Sequence, residues 1–332
     1  MSVAVASMEP GVAHSGWKGP AGGGLGHVLP RAKARGRSVV WLGEQACEEC
    51  ALVGGKAANL CRLASEYRVP PGFCLTSAAF DRTVGWGFRG REDSSAVSLP
   101  PELRQEITHA YRALAERCGV AAPSVAVRSS ALDEDGAGAS FAGQHETFLN
   151  VIGADAVADA VARCWASAYS FRARQYRLQH GFPLDGFRIA VLVQRLIHAD
   201  VSAVVFSANP VTGDRDEVMM NASWGLGESI VGGTVTPDTY LVRKADMRPV
   251  SRRIAEKRRM TVIASDGTRE VEVPRFLRTQ PTLREDHVLE MARLATTLEK
   301  RMGHPVDVEC AYHAGTLYLL QCRPITTLAG SR

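Results

Sequence analysis

The densest chemistry in the sequence lies near its C-terminal end. Two strand-like runs, 306–311 and 316–325, face each other across a turn at Ala314-Gly315. Strand side chains alternate in direction, so Asp307 and Glu309 share one face, and Gln321 and Arg323 share one face of the partner. If those faces coincide, two carboxylates, an amide and a guanidinium form one cluster. Carboxylate and amide oxygens suit Mg²⁺, and a guanidinium fork suits phosphate oxygens. The same pattern would also make a solvent-facing, salt-bridged ladder, and the hairpin alone leaves both readings open.

A second stretch with chemistry to offer begins at the apolar run 125–127. It delivers Arg128, two serines and then a loop of small residues: Gly136, Gly138, Ser140, Ala142 and Gly143. Small residues let backbone N–H groups approach an anion closely, and the arginine supplies matching charge. This is a phosphate-gripping segment or a plain turn. A third is Gly54-Gly55-Lys56, just ahead of apolar positions Leu60, Leu63, Ala64 and Tyr67 at helical spacing. There backbone donors, a helix dipole and an ammonium would share one anion-sized spot, although Gly-Gly also marks ordinary turns. A fourth, 221–228 followed by Gly232-Gly233, could wall a nucleotide site or form a loop.

These groups need elements to hold them. The pattern predicts a strand over 39–42 and a helix after Lys56 that ends at Pro70-Pro71-Gly72. It predicts an exposed polar loop over 81–100, and a helix over 103–118 stopped by Gly119. A long helix follows, capped by Asp155, with apolar positions at Val157, Val161, Cys164, Ala168 and Phe171, stopped by Gly181 and Pro183. Strands are predicted at 189–194, 201–206 and 218–221, with a lobe boundary near Leu184. The five basic residues within 251–264 read as a solvated face. Thr282 and Glu285 have capping-box spacing, ahead of a helix burying Val288, Met291, Ala295 and Leu298 and stopping at Gly303.

Composition limits the function classes. The net charge of +4 belongs entirely to residues 1–37, which carry five basic residues and one acidic one. The remainder is neutral, so no electrostatic case exists for nucleic-acid binding. No run of about 18 apolar residues exists, so no transmembrane helix is expected. Residues 1–37 lack the apolar stretch of a secretory signal; they read as a disordered basic tail, or as a start misassigned upstream of Met8. Eight scattered cysteines include one C-x-x-C, Cys47 and Cys50, with no second pair at zinc spacing, and read as reduced thiols of a cytoplasmic protein.

Four segments in order are far more specific than any one. They are VGGKAANL with VPPGF, VRSSALDEDGAGASFAGQHETFLNV, FSANPVTGDRDEVMMNASWGLGESIVGGTVTPDTYLV, and VDVECAYHAGTLYLLQCRPIT. Together they resemble the ATP-binding portion shared by phosphoenolpyruvate synthase, pyruvate phosphate dikinase and rifampicin phosphotransferase, from about Val39 to Thr327. The resemblance implies an α+β, ATP-grasp-like bilobed fold with ATP and Mg²⁺ in the cleft. Its subdomains would be 38–184 and 185–328, flanked by tails at 1–37 and 329–332. By motif, Lys56 and Arg128 would contact phosphates, and Gly143 and Thr147 would belong to the loop closing over the triphosphate. Gln194 would lie on the adenine side. Glu309 and Gln321 would hold Mg²⁺, and Arg323 would clamp phosphate. In the family ATP is split to AMP and phosphate, and a histidine on a mobile domain takes the phosphoryl group.

The Gly-Gly-x-Thr-Ser-His-like motif that carries that histidine in relatives does not occur here. Thr108-His109-Ala110 is its nearest echo, without the glycines, and His145 reads as a loop residue. The expectation is therefore a catalytic ATP subunit of a split dikinase-type phosphotransferase; phenylphosphate synthase is such a split system, and a split phosphoenolpyruvate synthase is equally allowed. A separate chain would carry the histidine and substrate domains. The competing readings are a self-sufficient kinase or ligase acting on a small metabolite, giving ADP, and a non-catalytic nucleotide-binding subunit. Retention of Lys56, Arg128 and Glu309 argues against the last. Ala57 after Gly-Gly-Lys, Cys310 and Cys322 depart from the family pattern. Alternation turns Cys322 away from Gln321 and Arg323.

Overall fold

The computed structural model describes residues 36–87, 97–132, 147–179, 187–265, 267–325 and 328. It is a mixed α/β architecture with separate sheets. The first sheet holds β1 (Val39–Trp41), β2 (Gly72–Leu75), β3 (Val125–Ala131), β4 (Thr147–Val151) and β5 (Ile189–Arg195), in the order β1-β2-β5-β3-β4 with every neighbour antiparallel. With it go helices α1 (Cys50–Leu63), α2 (Ser77–Gly87), α3 (Pro101–Cys118), α4 (Ala154–Ser167) and α5 (Phe171–Gln179).

The second sheet begins with β6 (Val201–Phe206), β7 (Glu217–Trp224), β8 (Asp238–Arg243) and β9 (Arg248–Arg253). A short helix, α6 (Glu228–Val231), lies between β7 and β8. A separate hairpin of β10 (Arg259–Ala264) and β11 (Gly267–Glu272) precedes α7 (Glu285–Met302). The sheet is completed by β12 (Val306–His313) and β13 (Thr316–Pro324), in the order β13-β12-β6-β7-β8-β9.

Period-two alternation decides what each strand offers. On β3, Val125 and Val127 enter a core with Val191, Val193, Ile107, Val161 and Trp165. The intervening residues Ala126, Arg128 and Ser130 therefore face the other way. On that side lies α1, whose Leu60 and Leu63 share a core with Leu192 of the first sheet and with Val205, Met220, Val308 and Met291 of the second half. The Asn59 side-chain amide also donates to the Cys322 carbonyl at 3.2 Å. One helix is thus packed between the two sheets, and it carries Lys56.

Gly54 explains how α1 fits. The helix is kinked there, at φ +75° and ψ 166°. A Cβ at this position would lie 2.3 Å from the Ser130 carbonyl oxygen, so only glycine permits the approach. One turn on, the Ala57 N–H donates to Ser130 Oγ at 3.3 Å.

Several expectations need correction. Residues 81–87 belong to α2 rather than to a loop; the predicted 81–100 loop otherwise lies partly outside the described residues. The long helix after Asp155 is two helices, interrupted at 168–170, and its N-cap is Gly153, with Asp155 in the first turn. The capping box does not form: Arg284 is the N-cap of α7, and Thr282 instead gives both its N–H and its hydroxyl to Asp238. The expected lobe boundary near Leu184 lies outside the described residues. The next strand, β5, still belongs to the first sheet, so sheet membership changes between Arg195 and Val201. The basic run within 251–264 is not all solvated, because one of its members, Lys257, is fully buried. No helix among the described residues is long and apolar enough to cross a membrane.

Candidate active site

A cleft of about 390 Å³ lies between the two sheets. Lys56 of α1, Arg128 of β3, Thr147 of β4, Gln194 of β5, Glu309 of β12, and Gln321 and Arg323 of β13 all line it. Gly143 and His145 lie outside the described residues. His109 sits on α3 and is not among the cleft residues.

The hairpin register is the one that alternation requires. Asp307 pairs with Arg323 and Glu309 with Gln321. Beyond that point the pairing slips, so that Cys310 faces Leu319 and Leu320 is the extra residue. A bulge of this kind bends the strand and re-aims side chains. Here Leu320 and Gln321 both line the cleft, while Leu319 and Cys322 enter the core behind it. Cys322 is buried away from the cleft, in keeping with alternation.

Asp307 itself does not line the cleft. It is buried behind Arg323, whose Nε and an Nη meet its Oδ2 at 2.8 and 2.7 Å. Burial pushes the Asp307 carboxyl up from its ordinary range, the Arg323 guanidinium opposes this, and Glu309 adds to it. The carboxylate fixes the direction in which the guanidinium points. Glu309 faces Arg128 across the cleft, with Oε2 3.4 Å from an Nη of the arginine. That pair is only partly buried. The Nε of Arg128 and Oδ1 of Asp307 are buried with no hydrogen-bond partner among the described residues. Buried polar atoms without partners are uncommon and call for a reason.

The other end of the cleft is apolar. Ala126, Leu196 and Leu226 form a small cluster with Leu149, Ala199 and Ile263. Ala126 and Arg128 lie on the same face of β3 and two residues apart, so the cleft runs from apolar to cationic along this strand. Gln194 is paired with Ala126 in the register and donates its Nε2 to the Pro70 carbonyl at 3.2 Å. This leaves its carbonyl oxygen as the group to present. The floor therefore suits an elongated ligand with a flat apolar head and a polyanionic tail.

The glycine-rich 221–228 stretch does wall the cleft, through Leu226, Gly227 and Glu228. Gly225 has a different reason to be glycine. Its φ is +76°, and a Cβ there would meet the Thr261 carbonyl oxygen at 2.3 Å. Among the cleft residues that sequence reasoning did not single out are Glu228, Ser202, Arg195 and the bulged Leu320. Glu228 was within reach of the glycine-rich motif. No local signal marks the bulge.

The residues fit a magnesium nucleotide by their donor set. Among the described residues no group of three or more His, Cys, Asp or Glu side chains could hold a metal ion. Mg²⁺ needs fewer, since it retains waters and is commonly bound by one or two carboxylates plus substrate phosphates. Glu309 and Gln321 supply one carboxylate and one amide oxygen in the same cleft, beside the cations that phosphates require.

A sequence profile of the family described as pyruvate phosphate dikinase, AMP/ATP-binding domain, matches residues 91–332. The chain is 38% identical to a protein of Methanocaldococcus jannaschii described as a probable phosphoenolpyruvate synthase, over 87% of this chain and 27% of that protein. It is 35% identical to the phosphoenolpyruvate synthase of Pyrococcus furiosus, over 88% and 44% of the two chains. It is 36% identical to a rifampicin phosphotransferase of a Streptomyces species, over 88% and 36%. The chain thus spans between 27% and 44% of the length of these relatives.

Proposed function

We propose, from the premise that this chain belongs to the pyruvate phosphate dikinase AMP/ATP-binding domain family, that its cleft binds Mg²⁺ and ATP and drives phosphoryl transfer. The fold would be a bilobed ATP-grasp-like unit, its lobes built on the two sheets and joined at 196–200. The observation that carries this reading is convergence: Lys56, Arg128, Arg323, Glu309 and Gln321, from three separate stretches of sequence, line one cleft.

The chemistry follows from charge. Phosphoryl transfer spreads negative charge over the equatorial oxygens, and catalysis is mostly placement and neutralisation. Lys56 and Arg128 would meet phosphate oxygens from one wall, and Arg323 from the other. Arg128 would exchange its long contact with Glu309 for a phosphate oxygen, and its unpartnered Nε would gain an acceptor. Glu309 and Gln321 would then hold Mg²⁺, which would supply positive charge to neutralise the phosphates. Asp307 keeps Arg323 aimed throughout. The Gln194 carbonyl and the cluster around Leu196 and Leu226 would take the adenine. Thr147, where β4 begins, and Gly143 would close over the phosphates and exclude water.

Of the two outer phosphoryl groups of ATP, one would pass to a histidine presented by a domain outside these residues and the other to water, releasing AMP and phosphate. A phosphoenolpyruvate synthase-like or phenylphosphate synthase-like system would then use it. Calorimetric titration with MgATP, followed by phosphorus NMR of the products with a histidine-domain partner supplied, tests this. Binding with AMP and phosphate as products is expected. Absence of MgATP binding, or ADP as the product, would overturn it.

A further inference from the structure

The β10–β11 hairpin is hydrogen-bonded to neither sheet as a strand, yet it touches both. At its base, Lys257 is fully buried against Asp238 of β8, with Nζ 2.6 Å from Oδ1. Midway, the Thr261 carbonyl accepts the Leu226 N–H at 2.9 Å, in the wall of the cleft. The Thr268 hydroxyl donates to Glu228, another cleft residue, at 2.9 Å. At the tip, the hairpin reaches the first sheet. The Asn150 side-chain amide donates to the carbonyls of Ala264 and Gly267, at 2.6 and 2.9 Å, and its Oδ1 accepts the Ser124 hydroxyl at 2.6 Å.

Asn150 is buried and sits at φ +56°, a left-handed conformation that asparagine tolerates better than most residues. Its amide uses both donors and its acceptor. The strap so fastened carries Ile263, which packs into the apolar end of the cleft with Leu149 and Leu226. One side chain therefore sets the spacing between a wall from the first sheet, Ala126 and Leu149, and a wall from the second, Leu226 to Glu228.

We propose that Asn150 is a positioning residue for the base end of the nucleotide, acting through the β10–β11 strap rather than by contact. This rests on the reading of the cleft as an ATP site. The strap fastens the apolar end and Glu228, whereas Lys56, Arg128 and Arg323, which would meet the phosphates, lie on α1, β3 and β13. Loss of the clasp should therefore weaken ATP while sparing a ligand that is all phosphate.

The test is the affinity of the full chain for MgATP and for magnesium tripolyphosphate, in the wild type and in Asn150→Gly. Glycine keeps the left-handed backbone and removes only the amide. The expected result is a loss of about 10-fold in ATP affinity, with tripolyphosphate changed by less than about twofold. Amide hydrogen exchange across 259–272 should quicken in the variant, and MgATP should slow it in the wild type. Equal losses for both ligands, or no loss for either, overturn the proposal. If the wild type binds neither ligand, the ATP reading itself has failed. Should Asn150→Gly not fold, Thr268→Val releases the strap from Glu228 at a partly exposed site. It should give the same selectivity for ATP over tripolyphosphate, and an unchanged ratio would overturn the proposal.

Discussion

Two carboxylate–cation clusters are built around carboxylates of the second sheet, and they are built in opposite ways. Asp238 and Lys257 are both fully buried. Asp238 accepts from Lys257 Nζ and the Ala255 N–H on one oxygen, at 2.6 and 2.9 Å. It accepts from the Thr282 N–H and hydroxyl on the other, at 2.8 and 2.9 Å. Lys257 spends a further proton on the Ala255 carbonyl at 2.9 Å. That cluster has little left to give a ligand. Around Glu309, by contrast, the ion pair with Arg128 is long, at 3.4 Å, and two buried polar atoms lack partners among the described residues. A closed cluster fixes a fold, whereas an unfinished one is where a ligand would complete the bonding.

The largest expected effect breaks this contrast on its open side. Arg128→Ala, or Glu309→Ala, should lower phosphoryl transfer by about 10³-fold or more. Thermal unfolding should change far less than activity in either variant, since the pair is long, at 3.4 Å, and not fully buried. Full activity in either variant would remove these residues from the site.

The closed side should respond the other way. Asp238→Ala leaves Lys257 buried without its carboxylate and should cost about 3–5 kcal/mol, measured by denaturant unfolding. A stability within about 1 kcal/mol of wild type would show that the buried pair is not a structural lock.

Gly54 sharpens the link between closed and open parts. Gly54→Ala should cost about 1–3 kcal/mol from backbone strain, and should also push α1 off Ser130 and carry Lys56 with it. MgATP affinity is therefore expected to fall beyond what stability alone explains. Unchanged stability in the same denaturant measurement would contradict the close approach.

The smallest effect is a pH dependence at Asp307. Its folded-state affinity for the proton is raised by burial. The stabilising contribution of the protonated form is fully present below the ordinary carboxylate range and is lost as pH rises through the raised value. Asp307→Asn should remove that falling limb from a stability–pH curve. A curve parallel to wild type would mean that the carboxyl does not titrate as its surroundings imply.

Much of this was legible in the sequence where neighbours in the chain are also neighbours in space. The β12–β13 face pairing followed from alternation alone, and α7 buried the predicted Val288, Met291, Ala295 and Leu298. The cleft residues Lys56, Arg128 and Glu309 were nameable because their motifs are local. What escaped depends on distant partners. Lys257 reads as one more charge in a basic run until Asp238, nineteen residues away, is placed beside it. Thr282 has capping-box spacing, but the same carboxylate competes for its hydroxyl and wins. Gly54 and Gly225 look like phosphate-cradle glycines, yet both are held to glycine by a backbone carbonyl from another element. The bulge at Leu320 leaves no mark in residue type.

The most direct test of the central claim is a crystal structure with Mg²⁺ and a non-hydrolysable ATP analogue. The triphosphate is expected between Lys56, Arg128 and Arg323, with the metal on Glu309 and Gln321 and the base against Leu196 and Leu226. A nucleotide seated elsewhere, or one that leaves the Arg128–Glu309 pair untouched, would contradict it.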